Sequence, residues 1–319
     1  MVARLKRKRP MQTDLDHLPV NKRRELDRVV QILFEEFEDA LGEPTGPRKM
    51  GRILKIILYG SYATGRWVHE PHTERGYRSD FDLLVIVNQK ELTDWLKYWD
   101  KASERIDRET MILNRLRTPV NFIVHTLQEV NDGLAHGRYF FMDIARDGIA
   151  LYQSDNSELH KPKPKTPQQA YDMAQGYFDQ WFELAVSSKM IFQYCHENGR
   201  FPDAAYNLQQ ACERLYYCIL LVCTFYTPYS HNLKYLRSLA ERLSPRLVDV
   251  WPRETRKIEA RFLKLKDAYV KARHSDQFTM TEEEFTYLSE RVELLGTIVN
   301  ELCEEKLAEL RSRLDVTKP

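Results

Sequence analysis

The 319-residue sequence predicts two architectures in series: an N-terminal α/β domain built on a small mixed sheet, then an all-α helical bundle. Two observations carry this. Short β-branched or aromatic runs alternate with helical patterns only in the first half, and strand signals vanish after a proline-rich stretch at 153–167, "QSDNSELHKPKPKTP". The resulting division is a basic, flexible tail over 1–20, an α/β domain over 21–152, a linker over 153–167 and a bundle over 168–319.

Residues 21–42 open the first domain as an amphipathic helix, with Leu26, Val29, Val30, Leu33, Phe34 and Phe37 on one face and Gly42 as its stop. A loop is expected at 43–52. "ILKIILY" (53–59), "FDLLVIV" (81–87) and "PVNFIVHT" (119–126) read as strands, the first two apolar enough to be central. A helix, "KELTDWLKYWDKASERI", separates the second and third. Two helix-like segments ended by glycine follow, then "IALY" as a last short strand. Beyond the linker, apolar positions step by three and four: Tyr171, Ala174, Phe178, Trp181 and Ala185; Ile258, Phe262, Leu265 and Tyr269; Phe285, Leu288, Val292, Leu295, Val299 and Leu302. With 203–226 and 231–243 they give about five helices, enough for an up-and-down bundle with a core.

A formal net charge of +1 argues against bulk attraction to nucleic acid or membrane. The longest apolar run, 216–226, is too short to span a bilayer, and no apolar segment follows the basic start. Five cysteines without CxxC spacing read as reduced core thiols. A soluble, cytoplasmic protein is expected, with a homodimer allowed. The five cations of "MVARLKRKRP" read as a solvated tail.

The chemistry concentrates in 57–87. Asp80 and Asp82 stand at i and i+2 on a strand, so both carboxylates face one side, roughly 6.5 Å apart along the backbone. Their repulsion is relieved by a cation, and Mg²⁺, which takes oxygen ligands and completes its shell with water and phosphate, suits them. Asp14-Leu15-Asp16 has the same spacing with no strand behind it and is given no role. Gly60 and Ser61 follow the first strand directly: glycine lets a backbone approach phosphate, and serine adds a hydroxyl. Gly60 and Gly65 have Walker spacing, but Arg66 and Trp67 occupy the places of Lys and Ser/Thr, so a P-loop is excluded.

"GSYATG…SDFDLLV" resembles the signature of the nucleotidyltransferase superfamily related to DNA polymerase beta, particularly its minimal branch and the aminoglycoside nucleotidyltransferases. Gly60, Ser61, Ala63, Gly65, Ser79, Asp80, Asp82 and Leu83 match. The resemblance implies a nucleotidyltransferase fold in which Gly60 and Ser61, with Gly65, Arg66 and Ser79, hold the nucleoside triphosphate. Asp80 and Asp82 would be catalytic and hold Mg²⁺. The implied reaction moves a nucleoside monophosphate, AMP if the donor is ATP, to an acceptor hydroxyl and releases pyrophosphate. The second half resembles a HEPN domain, which commonly accompanies this fold. The acceptor is then a protein or the chain itself, as in antitoxin-like fusions of the two domains. A small molecule such as an aminoglycoside is the alternative, and a nucleotide-binding regulator with little turnover is a third.

Two departures qualify the resemblance. The excursion 66–78 is longer than in minimal members and reads equally as a lid or a surface loop. The third carboxylate usual on a later strand is replaced by Asn121, which carries no charge and takes no proton. Either a single metal suffices, another acid such as Asp143 reaches in, or catalysis is weak. His125 has the spacing to share the face of Asn121 but reads as a structural strand-end histidine. HEPN ribonucleases use Arg, four to six intervening residues, then His. Only Arg66 and His72 have that spacing, in the wrong domain, so the ribonuclease reading has no residues behind it. Arg273, His274 and Asp276 are read as a solvated helix end or as reaching the phosphates.

Overall fold

The computed structural model describes residues 11–42, 51–68, 79–154, 157–228, 231–253, 255–274 and 278–316. The 1–10 tail, most of the 43–52 loop and residues 69–78 of the long excursion therefore lie outside the described residues, as do the side chains of Arg273, His274 and Asp276. Two compact units form, one reaching to Lys163 and the other continuing from Pro164, with Arg138–Phe140 grouped with the second.

The first unit is a four-stranded mixed sheet with helices on both faces. Its elements are α1 (Val20–Leu41), β1 (Ile53–Tyr59), β2 (Phe81–Val87), a 3-10 turn (Lys90–Thr93), α2 (Trp95–Tyr98), α3 (Asp100–Met111), β3 (Val120–Thr126), α4 (Leu127–Ala135), α5 (Tyr139–Asp147) and β4 (Ile149–Gln153). The order across the sheet is β3-β2-β1-β4. β2 runs parallel to β3 and antiparallel to β1, and β1 is antiparallel to β4. The two central strands are buried at every position, as their unbroken apolar runs require.

Alternation sorts the side chains of β2. Phe81, Leu83, Val85 and Val87 join Leu26, Val29, Ile32 and Leu33 of α1 in one core. Asp82, Leu84 and Ile86 therefore belong to the opposite face, with Asn121, Ile123 and His125 beside them in register. There the His125 ring meets Phe141 of α5 edge to face, centroids 5.5 Å apart. α4 begins with a reciprocal cap: Thr126 Oγ1 accepts from Glu129 N, and the Glu129 carboxylate accepts from Thr126 N. Gly148 between α5 and β4 has no room for a side chain, since a Cβ would stand 2.4 Å from the Ile144 carbonyl and 2.8 Å from Ile57.

The expected flexible tail over 1–20 is too long. Ala150 N donates to Gln12 O at 2.7 Å, Leu18 is buried, and the His17 ring nitrogen lies 2.8 Å from Tyr62 O. The linker is also tied down in part: His160 N donates to Asn131 Oδ1 and Lys163 N to Leu134 O, both on α4.

The second unit is helical throughout: α6 (Pro167–Glu197), α7 (Phe201–Thr224), α8 (Leu233–Glu241), α9 (Pro245–Val248), α10 (Arg256–His274) and α11 (Glu282–Val316). α6 opens on Thr166 and Gln169 as a capping box with proline at the first turn, where a missing N–H costs nothing. The α7 stripe supplies the centre of the core, with Leu208, Leu215 and Ile219 packed among Phe262, Leu265, Leu288, Leu295 and Val299. All five cysteines are free thiols, four of them buried. Among the described residues no helix is long and apolar enough to cross a membrane.

Candidate active site

Register brings the predicted residues to one end of the sheet. Tyr59, the last residue of β1, pairs with Asp82, and Asp82 pairs on its other side with Asn121. The Gly60–Ser61 turn thus leaves β1 beside the acidic start of β2. Asn121 Nδ2 donates to Asp80 Oδ2 at 2.8 Å, so Asp80 shares the face of Asn121 and Asp82. Asp82 is 1% exposed, while Asp80 is half-buried. β4 starts opposite Leu58 at the same end, which brings Gly148 and the C-terminus of α5 there too.

The turn is held by ordinary packing. Gly60 has φ 75° and Gly65 φ 72°, values that glycine adopts without strain. Thr64 N and Thr64 Oγ1 both donate to Gly60 O, and Arg66 N donates to Ser61 O. Tyr62 is buried at 1% exposure, its ring stacked on Trp67 at 5.4 Å and tilted against Phe81 at 4.5 Å. Each such aromatic pair contributes about 1 kcal/mol beyond its buried area. Among the described residues the Ser61 hydroxyl has no hydrogen-bond partner. Ser79 is placed differently: it is 2% exposed, its Oγ accepts from Val68 N at 2.9 Å, and its own N donates to Val68 O at 2.9 Å. These bonds close the base of the excursion.

Asp143, the example of an acid that could reach in, is held by Arg146 at 2.9 Å, and its side chain is 57% exposed. Asp147, absent from the sequence expectations, is the acid on which Arg66 of the turn acts electrostatically. Arg146 grips it through two bonds, 2.8 and 2.6 Å, and with Arg66 keeps its carboxyl below the usual range against the opposing effect of burial. The signal that could have found it is its place immediately before the Gly148–β4 start, one strand from the turn. His125 does share the face of Asn121, but it is occupied structurally, at 3.3 Å from Glu129 Oε2 and against Phe141.

The donor set at this end is oxygen-rich: two carboxylates, an amide and a serine hydroxyl. Such hard donors, too few to close a full protein cage, fit a hydrated Mg²⁺ whose remaining ligands are water and phosphate. Among the described residues no group of three His, Cys, Asp or Glu side chains is placed to hold a metal alone.

No curated protein matches the chain. Residues 178–302, from within α6 to within α11, match the family model described as HEPN domain, so the helical unit carries a HEPN domain.

Proposed function

We propose that the N-terminal unit is a Mg²⁺-dependent nucleotidyltransferase, moving a nucleoside monophosphate, AMP in the first instance, from a nucleoside triphosphate to a hydroxyl of a protein or of this chain. The observation that carries the reading is the register that puts Asp82 opposite Tyr59, directly before the Gly60–Ser61 turn, with Asp80 on the same face. The HEPN domain that follows it in the sequence supports the antitoxin-like form of this reading.

In this reading the positive-φ glycine lets backbone amides approach the phosphates, and the unpartnered Ser61 hydroxyl donates to one of them. Arg66 adds a cation at the turn. Asp80 and Asp82 hold Mg²⁺, and Asn121 orients Asp80 by its hydrogen bond. Bound Mg²⁺ supplies charge that offsets the negative charge growing on the leaving pyrophosphate. The acceptor oxygen forms its bond to the α-phosphorus as the bond to the pyrophosphate oxygen breaks, and the acceptor proton leaves to solvent.

The test is labelled ATP with Mg²⁺ and the full chain. Label on protein supports the proposal; label on an added aminoglycoside supports the small-molecule alternative. Asp80→Asn and Asp82→Asn should each abolish transfer, and undiminished transfer in either refutes the metal assignment. One observation favours a second reading. Asn121 leaves this end of the sheet with one acid fewer than the resemblance implies, which suits a nucleotide-binding regulator with little turnover; ATP retained unhydrolysed is its signature.

A further inference from the structure

A cavity of about 500 Å³ opens between the first turns of α1 and the loop leading into β3, a volume typical of small-molecule sites. Four guanidinium groups, Arg24, Arg28, Arg115 and Arg117, line it against one carboxylate, Glu25. That carboxylate is already engaged. It accepts from Arg117 N at 2.9 Å, Thr118 N at 2.8 Å and Lys22 Nζ at 3.3 Å, and so fastens the arginine-bearing loop to the helix. Burial pushes the Glu25 carboxyl up, but the Thr118 amide and hydroxyl, Lys22 and the Arg117 amide outweigh it and hold it below the usual range. Arg28 is fixed by a fork onto buried Glu109, at 3.0 and 2.5 Å. Arg24 and Arg115 are exposed and reach no carboxylate within salt-bridge distance among the described residues, although the charge of Arg115 is felt by Glu109.

The charge balance therefore stays positive with both acids counted. α1 also starts at this wall, with Val20 and Asn21 in the lining and no side-chain cap from Pro19, so the positive end of the helix adds to the same field. Planar guanidinium forks match phosphate oxygens two at a time. Among the described residues the lining carries no aromatic ring on which bases could stack, so a compact anion fits better than a nucleic-acid strand.

We propose that this cavity is a second binding site, for a small polyphosphate such as a nucleoside polyphosphate or its inorganic counterpart. It goes beyond the nucleotidyltransferase reading and does not depend on it. α1 covers the face of β2 that holds Phe81 and Leu83, whereas Asp82 belongs to the opposite face. A ligand here would not share the carboxylates of the candidate active site, and its binding needs no divalent cation.

Calorimetry of the full chain with tripolyphosphate in EDTA at low salt tests this. Saturable binding is expected, at least tenfold weaker in Arg24→Ser/Arg115→Ser and unchanged in Asp80→Asn; inorganic tripolyphosphate and ATP should compete. Both arginines are exposed, and a thermal melt checks that the double variant folds. The proposal is overturned by absence of binding, by equal affinity in the double variant, or by loss of binding in Asp80→Asn. It is equally overturned if a single-stranded oligonucleotide binds through these arginines and tripolyphosphate does not displace it.

Discussion

Asn121 Nδ2 and Asp80 Oδ2 lie 2.8 Å apart, with Asp82 the in-register neighbour of the same asparagine. An amide at this point donates to the acid pair where a third carboxylate would repel it. Exchanging it inverts the electrostatics of the whole row.

Asn121→Asp removes a donor to an ionised group, a loss of about 2 kcal/mol, and adds a like charge at contact distance. In EDTA at neutral pH its melting temperature should fall by several degrees, and millimolar Mg²⁺ should restore most of the loss. Asn121→Ala loses the donor without gaining the charge, so it should be destabilised alike with and without Mg²⁺. Thermal melts of both variants under both conditions decide the matter. An aspartate variant indifferent to Mg²⁺ contradicts the metal site.

Gly60 carries φ 75° at the end of β1. An alanine there enters a left-handed conformation at a cost of about 1–2 kcal/mol and puts a methyl where phosphate is expected to approach. Gly60→Ala should therefore lower stability modestly and weaken ATP binding by much more than the stability loss explains. Urea unfolding and nucleotide titration on the same preparation separate the two effects. Equal and small losses in both would leave the turn a purely structural bend.

The legible parts of this fold are those written in local patterns. β1 and β2 announce themselves through unbroken apolar runs, α1 through its stripe, and Asp80 and Asp82 through two-residue spacing across the start of β2. What stayed hidden depends on pairings between distant residues. The strap at 11–19 lacks any period, and tertiary contacts order it, among them Gln12 with Ala150, His17 with Tyr62, Arg23 with Leu18 O and the burial of Leu18 in the core. Asp147 gains its place from β4 joining β1 across ninety residues of sequence, and the arginine cavity from Glu25 capturing the amides of Arg117 and Thr118. Ser79 matched a motif position, yet its bond to Val68 N is visible only once the excursion closes on itself.

Glu129 completes the cap of α4 while facing His125 Nδ1 at 3.3 Å and pairing with Lys90. The His125 hydrogen bond, with Lys90 and the Thr126 amide, outweighs burial and holds its carboxyl far below the ordinary 4.5. A group depressed in the folded state stabilises the fold above its unfolded value, and the contribution is lost as pH falls from there through the folded value. Glu129→Gln should cost about 1 kcal/mol at neutral pH, and its gap to the wild type should narrow below pH 4.5. Urea midpoints across the acid range measure that gap. A gap that widens in acid would show that the carboxylate is not the stabilising species.

In the HEPN domain the corresponding charge is buried far more deeply. The Glu241 side chain is 3% exposed and takes Arg237 Nε at 2.7 Å and Arg253 Nη2 at 2.6 and 2.8 Å. Arg237 also donates to Trp251 O at 2.9 Å and lies over the Phe262 ring at 4.7 Å. Trp251 in turn donates to Tyr216 Oη at 2.7 Å, so the cluster joins α7, α8 and α10. Removing one partner of a buried pair strands the other charge, at about 3–5 kcal/mol. Glu241→Leu should therefore unfold the domain at much lower urea than wild type. Asp267→Asn, which breaks a pair whose lysine side chain is 58% exposed, should change stability by less than about 1 kcal/mol. Were the two substitutions to cost the same, Glu241 would not be the electrostatic centre of this cluster, and apolar packing around Trp251 and Phe262 would have to hold it alone.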